Sequence, residues 1–457
     1  MSEETPPVAR MEAAGRNPGN AGETGTPDFA ALHPGYGAET QIAQLGDVAH
    51  FEMGQSPPSK HVRELDRGLP FLQGNAEFGA IFPAAKLECD APGKVCDAGD
   101  ILISVRAPVG ALNKADKSYC IGRGLAAVSF NNVDSGFGWH MLNYWSPRLR
   151  VVAQGTTFEA VGRKELQQLQ IQLFSVHEQR RIAEILDTLD DAIQKTEQLI
   201  AKLKQIKQGL LHDLLTRGID ENGQLRDPIA HPEQFKDSVL GRIPREWTVK
   251  LLGEACSEGD GSIQTGPFGS QLHAEDYKRE GVPIITVEHL GDEKILHHNL
   301  PLVGEYDYKR LSRYVLATGD LVFSRVGAID RCSYVSEQEN GWLFSGRCLR
   351  VRVGSGVFYH RFMLYQLNSH AARQWILNNS VGSTMACLNT TILSRLPVFI
   401  PSIEEQKHIA SILDAHGKRI SYEGCYLNKL LAIKKALMHD LLTGKVRVTS
   451  ISGERYV

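Results

Sequence analysis

Apolar residues follow two different periods along this chain, and each period occurs twice. Between Ser175 and Arg217 they step by three or four: Ile182, Ile185, Leu189, Ile193, Thr196, Ile200, Leu203, Ile206, Leu210 and Leu214. That spacing predicts one long helix with a coiled-coil-like stripe. Ile409, Ile412, Ile420, Leu427, Leu430, Leu437 and Leu441 predict a second, less regular stripe over residues 402–445. The two helices match in frame. Glu178-Gln179 recurs as Glu405-Gln406, Ile185-Leu186-Asp187 as Ile412-Leu413-Asp414, and His212–Thr216 as His439–Thr443, always 227 residues on. Ser175 with Glu178, and Ser402 with Glu405, have the spacing of a capping box. Gly218 and Gly444 stand where a left-handed C-terminal residue is expected. About 40 residues at 1.5 Å each give roughly 60 Å of helix. An apolar stripe that long needs a partner, and the nearest candidate is its twin.

The segments before each helix carry short apolar runs opened by turns, the pattern of buried strands. They also repeat, more weakly. Gly99-Asp100-Ile101-Leu102-Ile103-Ser104 matches Gly319-Asp320-Leu321-Val322-Phe323-Ser324, and Gly122-Arg123 matches Gly346-Arg347. Gly155-Thr156-Thr157 matches Gly382-Ser383-Thr384. The frame persists while loop lengths drift, as in two related readers of different ligands. The expected organisation is an extension lacking periodicity (1–40), a head (41–174), a helix (175–217), a linker (218–247), a second head (248–401), a second helix (402–445) and a tail (446–457). The expected fold class is α+β: two pseudo-repeated mixed heads, each followed by a long helix, the helices pairing as an antiparallel coiled coil.

Composition narrows the function classes. The chain has 457 residues, a formal charge of −3 and a pI near 6.6. Any nucleic-acid affinity must therefore come from local positive charge or from partners. Eight scattered cysteines contain no C-x-x-C, which points to neither zinc nor a disulfide framework and suits a reducing cytoplasm. No apolar run approaches the roughly 18 residues of a membrane span.

Three stretches resemble the specificity subunits of type I restriction–modification systems. LGDVAHFEMGQSPPSK (45–60) is similar to the opening of one class of target-recognition domain, with its Gly54–Ser59 core the most specific part. FKDSVLGRIPREWTV (235–249) is similar to the start of a second such domain, through Asp237-Ser238, Ile243-Pro244 and Glu246-Trp247. GSTMACLNTTILSRLPVFIPSIEEQKHIASILD (382–414) resembles the passage from recognition domain into helix; the first such passage departs by having Phe174 where proline is usual. The resemblance spans residues 41–445. It implies that each head reads one half of a bipartite double-stranded DNA target and that the paired helices set the unread spacer. It also implies two modification (methyltransferase) subunits and two restriction (translocase and nuclease) subunits as partners. S-adenosylmethionine, ATP and Mg²⁺ would be bound by those partners.

The chemistry visible in the chain agrees. Pro57-Pro58 is flanked by serines, so it is not the Asn/Asp-Pro-Pro-Tyr/Phe loop of an adenine methyltransferase. No phosphate loop ending in Gly-Lys-Ser/Thr, zinc-protease helix or nucleophile elbow is present. Recognition without catalysis is expected. Base readers need Arg for guanine and Gln or Asn for adenine, and small hydroxyls suit phosphates. In the first head the candidates are Gln55, Ser56, Ser59, Lys60, Gln73, Asn75, Arg106, Thr156 and Thr157. In the second they are Gln264, Thr265, Ser270, Gln271, His273, Arg325, Ser383 and Thr384. Arg123 and Arg347 share one frame in both heads, which suits a structural or phosphate role better than base reading. The Pro-Pro core can equally be a rigid turn, the Gly-Thr-Thr and Gly-Ser-Thr pieces can be caps, and His297-His298 suits an exposed loop better than a metal site. A stand-alone bipartite DNA binder and a helical-hairpin scaffold are the alternative readings.

Overall fold

The computed structural model describes residues 41–153, 160–239, 241–257, 261–268, 271–354, 358–381 and 386–448. The 1–40 extension, Thr156, Thr157, Ser270, Ser383, Thr384 and most of the tail lie outside them. The chain divides into two compact units: one combines the residues up to Ile185 with those from Met438 onward, and the other spans Leu186–Leu437. No helix among the described residues is long and apolar enough to cross a membrane.

In the first unit, Gln41–Gln44 pairs antiparallel with Gln170–Leu173, closing the ends of the head on each other. One sheet has the order Ala49–Met53, Leu125–Phe130, Ile101–Ser104, Leu112–Lys114. A second runs Val62–Glu64, Leu87–Cys89, Leu69–Leu72, Tyr119–Ile121, Val95–Cys96. Strand Leu69–Leu72 pairs parallel with Tyr119–Ile121, the rest antiparallel. Ile101, Leu102 and Ile103 are buried, as the continuous apolar run predicts.

The head of the second unit repeats this plan. Thr248–Leu251 pairs with Pro397–Ile400. Its first sheet is Ser262–Thr265, Cys348–Arg352, Leu321–Ser324, Cys332–Tyr334, with Glu293–Lys294 added at the edge. Its second is Tyr277–Lys278, Leu302–Val303, Val282–Ile285, Leu343–Phe344, its last pair parallel like the equivalent pair of Leu69–Leu72 with Tyr119–Ile121. Gly99 and Gly319 both have φ of +96°, so the repeated Gly-Asp turn needs glycine in both heads.

The long helices span Val176–Thr216 and Ile403–Leu442. In the second unit they run antiparallel. Lys434 pairs with Asp190, and Leu210, Leu211, Leu214 and Leu215 pack with Ile409, Ala410, Ile412 and Leu413. Both helices end alike, with Thr216 Oγ1 donating to His212 O and Thr443 Oγ1 to His439 O, before Gly218 (φ +63°) and Gly444 (φ +71°). Along the stripe, Ile182, Ile193, Ile409, Leu430 and Leu441 are buried. Ile185, Leu189, Ile200, Leu203, Leu210, Ile412, Ile420, Leu427 and Leu437 are half-buried, and Ile206 is exposed. Leu186, Leu214, Leu215, Leu413 and Leu442, near the helix ends, are more deeply buried than most of the stripe.

Two expectations change. The capping boxes are only half present. Ser175 and Ser402 accept the N–H of Glu178 and Glu405 at 3.3 Å. The carboxylates, however, turn to arginines. Glu178 receives Arg447 Nε and Nη2 at 2.8 and 2.7 Å and the Val448 N–H. Glu405 receives Arg226 Nη1 at 2.6 Å, the Ile219 N–H and Trp247 Nε1. A charge-assisted contact in a buried setting outcompetes a backbone N–H at the helix start. In each unit, then, the helix that begins there is tied to the segment that follows the other helix. The second change concerns 218–247, expected as a linker. Its described residues form a turn at Asp220–Gly223 and a hairpin of Phe235–Ser238 with Gly241–Pro244, and Ile219, Ile243 and Trp247 are core residues.

The Gln of the repeated Glu-Gln has one task in both copies. Gln179 Nε2 donates to Phe174 O and its Oε1 accepts the Asp134 N–H. Gln406 does the same with Pro401 O and the Tyr359 N–H. Because the acceptor is a backbone carbonyl, Phe174 in place of proline leaves this joint intact.

Candidate nucleic-acid interface

The first head gathers part of its candidate set at one corner. The chain leaves Ala49–Met53 through Gly54, whose N–H bonds to Leu125 O at 2.9 Å. A Cβ there would lie 2.2 Å from Gly122 O, so only glycine allows the approach. Gln55 N then bonds to Ile121 O. This brings Ser56 under two partners: its Oγ accepts from Gln73 Nε2 at 3.0 Å and from Arg123 N and Nε at 3.3 Å. Gln55, Gln73 and Arg123 are exposed around it. A serine that positions an amide and a guanidinium beside an exposed glutamine presents the kinds of donor and acceptor that base edges and phosphates can meet. Ser59 and Lys60 lie exposed in the Ser59–His61 turn, and Asn75 opens the Asn75–Glu77 turn. Nearby, Glu88 anchors the 65–68 loop. The Asp66 N–H, the Arg63 guanidinium and the Gly68 N–H hold its carboxyl down to about 2.

The second head builds the equivalent corner with other side chains. Gly266 follows Ser262–Thr265, and a Cβ on it would lie 2.1 Å from Ser345 O; one on Gly346 would lie 2.2 Å from Pro267 O. Arg325 Nη1 donates to Gly346 O, and its guanidinium covers the exposed Phe268 ring at 5.4 Å. Gln271 Oε1 accepts Tyr314 OH at 2.8 Å, and Arg313 also contacts that hydroxyl. The His273 N–H bonds to Asp276, and Arg347 is exposed. Gln264 and Arg350 are cross-strand neighbours, and Gln264 Oε1 and Arg350 Nε are both buried without a hydrogen-bond partner.

The structure distinguishes two of the candidate arginines. The Gly-Asp frame places Arg325 at the position of Val105, and Val326 at that of Arg106. Arg106 bridges to Ala160, as Val326 does to Cys387, and Arg106 is exposed where Arg325 is half-buried. The two arginines therefore do different jobs. Arg313, Arg350, Arg352 and Phe268 were not among the expected contacts. Arg350 and Arg352 alternate with apolar residues in an otherwise buried strand, and that period-two placement of charge was the available signal. His297 Nε2 meets Glu339 Oε1 at 2.5 Å, and no group of His, Cys, Asp or Glu suited to a metal occurs among the described residues.

The model of the family described as "type I restriction modification DNA specificity domain" matches this chain twice, over residues 38–205 and 244–431. The chain belongs to that family. Over 180 residues it is 41% identical to a putative type I restriction enzyme specificity subunit of Methanocaldococcus jannaschii, an alignment covering 38% of this chain and 42% of that one. Over 419 residues it is 25% identical to a second specificity subunit of the same organism, covering 90% and 94%. The crystal structure of a type I S subunit from M. genitalium shares the fold, with a TM-score of 0.56 at 16% identity over 90% of this chain and 98% of that one. The double family match covers the two heads, whose sheets share one strand order apart from a single added edge strand in each head.

Proposed function

We propose that this specificity-family chain is the non-catalytic, sequence-reading subunit of a type I restriction–modification complex. Each head takes one half of a bipartite duplex target. The observation that carries this is the repeat itself: two heads with one strand order and one glycine-built corner, dressed with Gln55, Ser56, Gln73 and Arg123 in one and with Phe268, Gln271 and Arg325 in the other. One scaffold with two side-chain sets suits two different half-sites. Thr156, Thr157, Ser383 and Thr384, beside glycines, are proposed phosphate contacts. The paired helices would set the spacer and dock two adenine methyltransferase subunits, which two restriction subunits join. S-adenosylmethionine, ATP and Mg²⁺ belong to those partners in this proposal.

The test is a methylome. The chain is co-expressed with a candidate adenine methyltransferase subunit from the same genome, in a host lacking adenine methylation, and N6-methyladenine is mapped by long-read sequencing. A two-part motif with a fixed gap, lost when this chain is omitted, is expected. A stable complex that modifies nothing would count against the proposal and favour a stand-alone binder or a scaffold.

A further inference from the structure

The second head contains a cationic pocket that the fold does not require. It measures about 460 Å³ and opens between the 312–317 segment, Asn340-Gly341 and the strand Cys348–Arg352. Three guanidinium groups line it: Arg313, Arg350 and Arg352. One of them is met by a carboxylate among the described residues. Asp320 is taken by Arg352, with Nε to Oδ1 at 2.7 Å and Nη2 to Oδ2 at 2.6 Å.

Arg350 is the unusual member. It is 6% exposed, yet its hydrogen-bond partners are neutral: Val315 O at 3.2 Å from Nη1 and Ser262 Oγ at 3.1 Å from Nη2. Its Nε is buried and unpaired. Burial and the neighbouring Arg352 both disfavour its charge, with Asp320 opposing. A buried guanidinium without a counter-charge is costly, so a sequence that keeps one has a use for it. The other head shows that the scaffold does not need it. By strand register, Ala127 stands opposite Leu102 as Arg350 stands opposite Val322. Glu52 pairs with Ala127 where Gln264 pairs with Arg350. The same place is thus acidic and small in one head, cationic in the other.

We infer that this pocket binds a phosphate group, through Arg350 and Arg313, and that its physiological source is the backbone of DNA lying along the second head. The geometry favours that source because Arg350 sits across from Gln264, and Arg313 meets Gln271 through Tyr314, both candidate readers. Planar guanidinium groups suit phosphate oxygens. The assignment of DNA as the source rests on the DNA-reading function proposed above; the anion chemistry stands apart from it.

The test uses the full chain with two probes: orthophosphate, titrated by calorimetry, and a fluorescein-labelled duplex of arbitrary sequence, titrated across a salt series. Variants are Arg313→Ala, at an exposed position that leaves the core intact, Arg350→Met, and Arg350→Lys as the conservative change. A backbone contact predicts that Arg313→Ala and Arg350→Met weaken duplex binding about tenfold near physiological salt, and lower the salt slope by about one per lost contact. Arg350→Lys should recover part of the loss. Orthophosphate binding that disappears in the variants while the salt slope stays unchanged would keep the phosphate site but overturn DNA as its source. Should the wild-type chain bind no duplex by itself, the salt series is run on its complex with the methyltransferase; failure there too counts against the DNA-reading proposal, and the orthophosphate titration still decides the pocket. Orthophosphate binding and salt slope both indifferent to Arg313 and Arg350 would overturn the inference.

Discussion

Single residues carry the repeated joints of this molecule, and their partners lie far away in sequence. The Glu-Gln pair was visible as a motif, but its job was not. A capping box needs only a residue three positions away, whereas Glu405 finds Arg226, Ile219 and Trp247, between 158 and 186 residues upstream. Local pattern cannot reveal such partners. The joint makes a sharp prediction. Arg226 and Glu405 are both about nine-tenths buried, so Glu405→Ala strands a guanidinium and should cost about 3 kcal/mol. Urea unfolding of the full chain would measure it as a lower midpoint. Glu405→Gln, whose single amide oxygen can still accept from either the Ile219 N–H or Trp247 Nε1, should cost less. Replacing both partners by apolar residues (Arg226→Met with Glu405→Leu) should recover stability relative to Glu405→Ala, because no charge is then left unpaired. Equal losses for Ala and Gln would show that an uncharged acceptor contributes nothing to the joint, and no loss for Gln would show that the carboxylate charge is not what holds it.

At the level of elements, the helices were the most legible part. A 3.6-residue period sustained over about eleven turns leaves few alternatives, and the observed spans agree with it at both ends. The strands were legible only where an apolar run followed a Gly-Asp turn. The corner loops were not, since Gly54 and Gly266 matter through contacts with carbonyls brought in from other strands. The stripe itself also reads differently in space: apolar spacing marks Ile206 as core, yet it is exposed, while the stripe's neighbours Leu186 and Leu413 are fully buried. Antiparallel pairing fixes how the helices can be lengthened. Seven residues inserted in one helix alone would shift every pairing beyond the insertion, as between Asp190 and Lys434. Seven inserted at matched points in both, after Leu199 and after Gly424, would keep the register and add about 10 Å, the rise of roughly three base pairs. The single insertion should abolish motif-specific methylation, and the double insertion should lengthen the unread gap by about three base pairs, read by the same long-read mapping. A gap of unchanged length in an active double variant would remove the ruler from the proposal.

On the scale of the whole molecule, the question is how a chain with a charge of −3 reads a polyanion. Composition alone argued against independent, tight DNA binding, but it averages over positions. The structure concentrates charge instead: three arginines share one pocket of the second head, and the matching place in the first head holds Glu52 and Ala127. The heads are therefore alike in backbone and unlike in electrostatics, and each would carry its own share of specificity. This makes them exchangeable in principle. Both begin and end on a two-stranded pair, Gln41–Gln44 with Leu173–Gln170 and Thr248–Leu251 with Ile400–Pro397, so a head is closed before its helix begins. Replacing residues 41–174 by the equivalent segment of another family member, cut at that closure, should leave Gln179 able to reach the carbonyl at position 174, since the contact is to backbone. Long-read mapping of the chimera should return a motif with one half replaced, the other half kept and the gap unchanged. If both halves changed together, specificity would be a property of the assembled complex, and the separate reading of half-sites by separate heads would have to be abandoned.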